Sequence, residues 1–209
     1  MKITVIGAGN MGSAFVKQLS RAGHQVSVVA RDGAKAEAVA AANPGAKAVS
    51  ATNAVAGADA VVLATGYTDA VHALRSVGDL AGKVVIDVTN PLTADYMGLT
   101  IGHETSAAEE IAKAVPGAEI IKAFNTVFAQ VLAEGADLRG QKVPVFIAGD
   151  SARGKETAKA LAQSMGFDTI DAGGLKNARY LEPLAGLNIY LGYGAGLGTS
   201  IAPTWIRQA

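Results

Sequence analysis

The apolar run Lys2-Ile3-Thr4-Val5-Ile6 leads without a break into Gly7-Ala8-Gly9-Asn10-Met11-Gly12. A Gly-x-Gly-x-x-Gly placed between a strand and a helix allows few architectures. Its first glycine permits a tight turn, its second admits a pyrophosphate close to the backbone, and its third brings the helix against the strand. The context here is complete. An amphipathic segment from Ser13 to Ala22 follows, Gly23 stops it, and a second strand is expected over Gln25 to Ala30. Gly7, Ala8, Gly9, Asn10, Met11 and Gly12 are therefore candidate nucleotide-binding residues.

The residues at the tip of that second strand discriminate between nucleotides. An acidic side chain about 20 residues past the turn accepts hydrogen bonds from a ribose 2′-hydroxyl. This chain instead presents Ala30-Arg31, with Lys35 four residues on. A guanidinium and a second cation suit a 2′-phosphate, which favours NADP over NAD. Asp32 competes with this reading, because a shift of one residue would bring its carboxylate toward the ribose. Its place just after a strand also suits the N-cap of a helix over Ala34 to Ala42.

Strand patterns recur at Lys47–Ser50, Ala60–Thr65, Lys83–Val88, Glu119–Phe124, Val143–Ala148 and Asp168–Asp171, with helices between them. The alternation predicts an α/β fold, a doubly wound and mostly parallel sheet covered on both faces. Ser106-x-x-Glu109 reads as a capping box, and Asp150 or Ser151 as the cap of a helix running to about Met165. A chain of 209 residues fits a single domain with a short C-terminal helical and glycine-rich segment. The uncharged stretch Leu184 to Ile206 is long enough to span a bilayer, yet five glycines and Pro203 make it a poor continuous helix. It is expected to end as a helix near Gly192 and then pack against a ligand or a second subunit.

In such sheets ligands lie beyond the carboxyl ends of the strands. Thr65-Gly66-Tyr67, Asn90-Pro91 and Asn125-Thr126 stand there, so these seven join the candidate site as a surface for planar rings. Acid–base residues are sparse. His24 lies in a turn and His72 on a helix, and His103, in a loop before a capped helix, is the one candidate to reach the ring pocket. Lys122 sits inside a strand, where a structural salt bridge accounts for it, and Tyr180, Tyr190 and Tyr193 read as packing or interface residues. The absence of cysteine excludes disulfides, thiolate catalysis and Cys-ligated metal, and three scattered histidines suggest no metal site. Lys plus Arg and Asp plus Glu both total 18, so no global field draws the chain to nucleic acid or an anionic membrane. Strand formation from Lys2 leaves no targeting leader, and a cytoplasmic address is expected. A site poor in acid–base groups suits hydride transfer between two already activated cofactors.

At this point the residues resemble the NADP-dependent oxidoreductases of coenzyme F420, a deazaflavin. The resemblance spans nearly the whole chain. It rests on the glycine turn, Ala30-Arg31-Asp32, Asp87-Val88-Thr89-Asn90-Pro91-Leu92, Ser106-Ala107-Ala108-Glu109-Glu110, Val115-Pro116-Gly117-Ala118, Lys122-Ala123-Phe124-Asn125-Thr126 and the tail from Asn177. It implies a small Rossmann protein, a homodimer joined through its C-terminal segment (residues 175–209). It also implies NADP held by the glycine turn and the arginine, and hydride passed between nicotinamide C4 and deazaflavin C5. The chain departs at Ala30, where family members often carry Ser. Its loop Gly98 to Thr105 and tail Ala195 to Trp205 look like a bacterial branch whose acceptor is open among F420, flavin, quinone and metal complex. Two other readings stand beside this one: a reductase of a small carbonyl or imine, and an NADP-binding sensor without turnover.

Overall fold

The computed structural model describes residues 1–206. Along the chain run β1 (Lys2–Ile6), α1 (Asn10–Arg21), β2 (Gln25–Val29), α2 (Gly33–Ala41), β3 (Ala46–Ala48), β4 (Ala60–Leu63), α3 (Tyr67–Ser76), β5 (Val84–Asp87) and α4 (Ala107–Ala114). There follow β6 (Glu119–Lys122), α5 (Ala129–Glu134), β7 (Asp137–Leu138), β8 (Gln141–Lys142), β9 (Pro144–Gly149), α6 (Ala152–Ser164), β10 (Asp168–Asp171) and α7 (Ala178–Ile189). A single π-helical turn, Tyr190–Gly194, extends α7.

The main sheet has the order β10-β9-β6-β5-β4-β1-β2-β3. The six strands from β3 to β6 are parallel, as the alternating pattern predicts. β9 joins antiparallel to β6, and β10 runs parallel to β9. Both faces of the sheet are buried, which is why the strands read as near-continuous apolar runs. Successive residues go to opposite cores. Val84 and Ile86 pack on one side with Phe15, Leu19, Leu132 and Leu161, while Val85 packs on the other with Leu74 and Ile111.

The caps follow the sequence. Ser106 Oγ accepts from the N–H of Glu109, Ser151 Oγ from that of Gly154, and Asp32 caps α2 by accepting from the N–H of Lys35. Asp150 has a different task, accepting from the N–H of Leu175. Several expected strands stop one or two residues early. Phe124 shows why, since its φ of 61° turns the backbone out of the ladder just past β6. The β7–β8 hairpin carries too few residues for a periodic signal. In the stretch Leu184 to Ile206, α7 gives way to the π turn, and no helix among the described residues is long and apolar enough to cross a membrane.

Candidate functional site

Between β4 and β1 the chain direction of winding reverses, and the glycine turn lies at that switch point. Two of its glycines are dictated by the fold. Gly7 has φ 116°, and a Cβ there would stand 2.4 Å from the carbonyl oxygen of Ala64. One on Gly12 would stand 1.9 Å from the carbonyl oxygen of Gly7. Gly9 is different: a Cβ on it would meet nothing within 4 Å among the described residues. It is also the N-cap of α1, and no side chain caps that helix. The first-turn N–H groups and the positive end of the helix dipole thus face open space, a ready anion site.

That space opens into a cleft of about 800 Å³ along the carboxyl ends of the strands. Gly9, Asn10, Met11, Thr65, Gly66, Tyr67, Asn90, Asn125 and Thr126 all line it. Gly7, Ala8 and Gly12 are not in the lining. Pro91 is buried, its carbonyl accepting from both the N–H and the hydroxyl of Thr100 at 2.7 and 3.1 Å. Arg31 and Lys35 stand outside the cleft. The Arg31 side chain is 90% exposed and 3.6 Å from Asp69, and Lys35 is 3.9 Å from Asp32. Such exposed pairs hold their partners weakly, so both cations are free to meet an incoming anion.

The structure corrects the expectation for His103. The residue is exposed with φ 58° and lines a separate groove with Lys176, Asn177, Arg179, Tyr180 and Pro183. That groove shares no lining residue with the cleft. His24 is structural, contacting the N-terminal amine at 3.1 Å and Ser164 Oγ at 2.8 Å. Among the described residues the cleft presents no Asp, Glu, Lys, Arg or His, only uncharged side chains. Phe128, Asn188 and Tyr193 line it from the N-cap of α5, from α7 and from the π turn, and their chain positions gave no sign of this. Tyr193, expected as a packing or interface residue, sets its ring edge-on to Phe128 with centroids 5.8 Å apart.

Beneath the floor lies a buried charge network. Lys122 is fully buried, and its Nζ donates to the Thr89 carbonyl at 2.8 Å. Glu182 Oε1 and Asp87 Oδ2 lie 2.8 and 2.7 Å from the same Nζ. The salt bridge expected for Lys122 is present and has two arms. Burial by itself would lower the lysine pKa, but the two carboxylates outweigh it and hold it above its ordinary value. Glu182 also accepts from the N–H groups of Ala107 and Ala108, so one carboxylate joins α7, β6 and the N-terminus of α4. Tyr67, on the cleft wall, has its phenol pKa raised chiefly by burial and further by Glu110, Glu182 and Asp87. It stays a neutral donor.

Side-chain amides tie the floor loops together. Asn90 Nδ2 donates to the Asn125 carbonyl, Asn125 Nδ2 donates to Asn90 Oδ1 and to the Leu181 carbonyl, and Asn188 Nδ2 donates to the Thr126 carbonyl. Phe124, wholly buried, keeps its left-handed backbone because Phe15 and Phe167 pack edge-on to its ring at 5.0 and 5.9 Å. α7 is pinned further by a bidentate pair, Arg179 to Glu109, at 2.8 and 2.7 Å. The guanidinium holds the Glu109 carboxyl below its usual range. Its stabilisation is complete above the ordinary glutamate value and is lost as pH falls through the depressed one. Thermal midpoints followed from pH 7 to pH 3 should therefore show a steeper acid decline in the wild type than in Arg179→Ala.

The sequence and the fold have counterparts among known proteins. The pattern of the NADP oxidoreductase, coenzyme F420-dependent, family matches residues 2–91. The F420-dependent NADP reductase of Methanothermobacter marburgensis is 32% identical over 209 aligned positions, covering 91% of this chain and 92% of its own. Metalloreductase STEAP3 of Rattus norvegicus is 29% identical over 88% of this chain, and the chain spans only 36% of that protein's length. Among solved structures, a candidate F420-dependent NADP reductase of Arthrobacter sp. FB24 superposes with TM-score 0.88 at 28% identity, covering 99% of this chain and 100% of its own. An imine reductase of Pseudomonas sp., at 20% identity, TM-score 0.68 and coverage of 93% and 63%, shares the fold. With an archaeal reductase matched almost end to end, the chain belongs to the family of coenzyme F420-dependent NADP oxidoreductases.

Proposed function

We propose that this enzyme passes hydride between nicotinamide C4 of NADP(H) and a deazaflavin or flavin-like acceptor such as coenzyme F420, both held in the one cleft. The observation that carries the reading is the uncapped α1 N-terminus over Gly9 opening into a cleft without a charged side chain. Asn10 and Met11 offer backbone donors to the pyrophosphate, Gly12 lets the helix start close against the turn, and Arg31 with Lys35 offers charge to the 2′-phosphate. Thr65, Gly66, Tyr67, Asn90, Asn125 and Thr126 shape the region of the rings, and Pro91 holds its loop through Thr100. The volume lies within the roughly 300–1,000 Å³ typical of ligand pockets. The bound cofactor supplies the transferable hydride; the protein's part is to hold both rings and exclude water, which needs no acid–base side chain.

The exposed residues Tyr180, Leu187, Tyr190, Trp205 and Ile206 support a homodimer built on the C-terminal segment. Residues 207–209 of that segment lie outside the described residues. A cytoplasmic address belongs to the same reading.

Two measurements bear on it. NADPH oxidation should be followed with F420, FMN, FAD, riboflavin, a quinone, a ferric chelate and a cyclic imine, with NADH as control donor. Fast NADPH-specific reduction of F420 is expected; turnover with another acceptor alone would rename the enzyme, and none at all would favour the sensor. Arg31→Ala should weaken NADPH about ten- to a hundredfold more than NADH, the loss of a charge-assisted contact to phosphate. Equal losses for both nucleotides would defeat the 2′-phosphate assignment.

A further inference from the structure

Lys122, Asp87 and Glu182 are the buried charged side chains among the described residues, and hydride transfer as proposed engages none of them directly. Their partners set their charge. Asp87 Oδ1 accepts from the Thr89 N–H at 2.9 Å, and Oδ2 lies 2.7 Å from Lys122 Nζ. Glu182 Oε1 lies 2.8 Å from the same Nζ and accepts from the Ala108 N–H, while Oε2 accepts from the Ala107 N–H. All four carboxylate oxygens meet donors and none is hydrogen-bonded to an acceptor, so both acids are held ionised. One ammonium between two carboxylates leaves one net negative charge in the interior, of which the positive end of α4 offsets only about half.

This charge lies against the site at two places. Thr89 lines the cleft, and its own N–H and carbonyl are the groups bonded to Asp87 and Lys122. Asn125 lines it too, and its amide donates to the carbonyl of Leu181, the residue before Glu182. Tyr67 on the cleft wall registers the sign of the field. Its phenol is raised first by burial, then by Glu110, Glu182 and Asp87, and Lys122 opposes them with the smallest effect. Glu110 is half-exposed and 2.8 Å from Lys113, a pair that water and salt screen; the buried network is screened far less. Among the described residues the cleft lining has no charged side chain to mask that field.

We infer that the Lys122–Asp87–Glu182 network is an electrostatic positioning element that favours the oxidised, cationic nicotinamide ring over the reduced, neutral one. The inference rests on the cleft's being the NADP site proposed above. When hydride leaves, the C4–H bond breaks, both electrons go with the hydrogen to the deazaflavin or flavin-like acceptor, and the nicotinamide ring is left with one positive charge. The reduced acceptor takes up one proton from water. A fixed negative charge in the dry interior beside the cleft stabilises that cation without touching it, and so biases the enzyme toward NADPH oxidation.

NADP+ and NADPH share every phosphate and differ in the charge of one ring, so the ratio of their dissociation constants isolates that ring. Isothermal titration gives both constants without turnover. Glu182→Gln and Asp87→Asn each remove one negative charge at nearly constant shape. Each should raise the ratio Kd(NADP+)/Kd(NADPH) about four- to thirtyfold, the effect of a unit charge roughly 8–10 Å away in an effective dielectric of about 20–40. Each tenfold step raises the two-electron potential of the bound couple by about 30 mV. Glu182→Asp keeps the charge and should keep the ratio within about twofold of wild type, even where both constants worsen. A loosened attachment of α4 or α7 would weaken the two nucleotides alike and leave the ratio unmoved. A ratio unchanged or lowered in either neutralised variant overturns the inference. Wild type is expected to hold NADP+ at least as tightly as NADPH, and a wild-type preference for NADPH beyond about tenfold overturns it even if neither variant folds. Wild type that binds both nucleotides while the variants keep its ratio defeats this inference alone; wild type that binds neither defeats the parent reading with it.

Discussion

Gly9→Asp is expected to weaken NADPH binding by at least about a hundredfold while leaving the fold as stable as before or slightly more so. The loss follows from placing a carboxylate where the pyrophosphate belongs, which removes charge-assisted hydrogen bonds of about 1.5–3 kcal/mol each and adds repulsion. The stability follows from the same substitution. A Cβ on Gly9 meets no described atom within 4 Å, its backbone is extended, and α1 lacks a capping side chain that aspartate supplies. Gly7→Ala and Gly12→Ala provide the contrast. Their methyl groups would press on backbone carbonyls at 2.4 and 1.9 Å, and forcing that space costs about 1–3 kcal/mol or more. Isothermal titration beside thermal melting separates the two cases. A Gly9→Asp protein that binds NADPH like wild type would remove the α1 N-terminus from the site.

Lys122→Met should destabilise the protein by about 3–5 kcal/mol, because it strands Asp87 and Glu182 as buried carboxylates with no cation between them. Urea unfolding measures this directly. Adding Asp87→Asn and Glu182→Gln to the same chain should recover much of the loss, since the penalty belongs to unpaired charge and not to the volume of the lysine. A single Lys122→Met that unfolds at the wild-type urea concentration would mean that the network contributes nothing. Glu182→Gln alone has a second effect to look for, as it weakens the attachment of α7 to Ala107 and Ala108 and thereby to the cleft floor.

The parts of the site that were legible from residue order are those whose chemistry is local. The glycine turn declares itself because three glycines, a strand and a helix fall within one short stretch, and the loops after β4, β5 and β6 declare themselves because a doubly wound sheet gathers strand ends along one edge. Asp32 was legible as an N-cap for the same reason, its partner being three residues away. Long-range partners leave no such trace. Lys122 in a strand signals that it must be paired, yet nothing near it in sequence points to Glu182 on α7. Asn188 and Tyr193 reach the cleft only because α7 folds back over the loops after β5 and β6. The antiparallel direction of β9 is likewise invisible, since Pro144–Gly149 is buried on both faces and reads like any interior strand. His103 misled because nearness in sequence to a site loop says nothing about where that loop turns.

The backbone of Phe124 carries a further consequence. A buried phenylalanine at φ 61° costs about 1–2 kcal/mol relative to the ordinary conformer, and rings from α1 and from the segment after α6 repay it. A chain whose first and last helical layers have not yet closed on that ring has no reason to hold the turn, however much helix and strand it already contains. Competence to bind is thereby made a property of the finished molecule, and a ligand titration during refolding reports completion where circular dichroism would report only assembly.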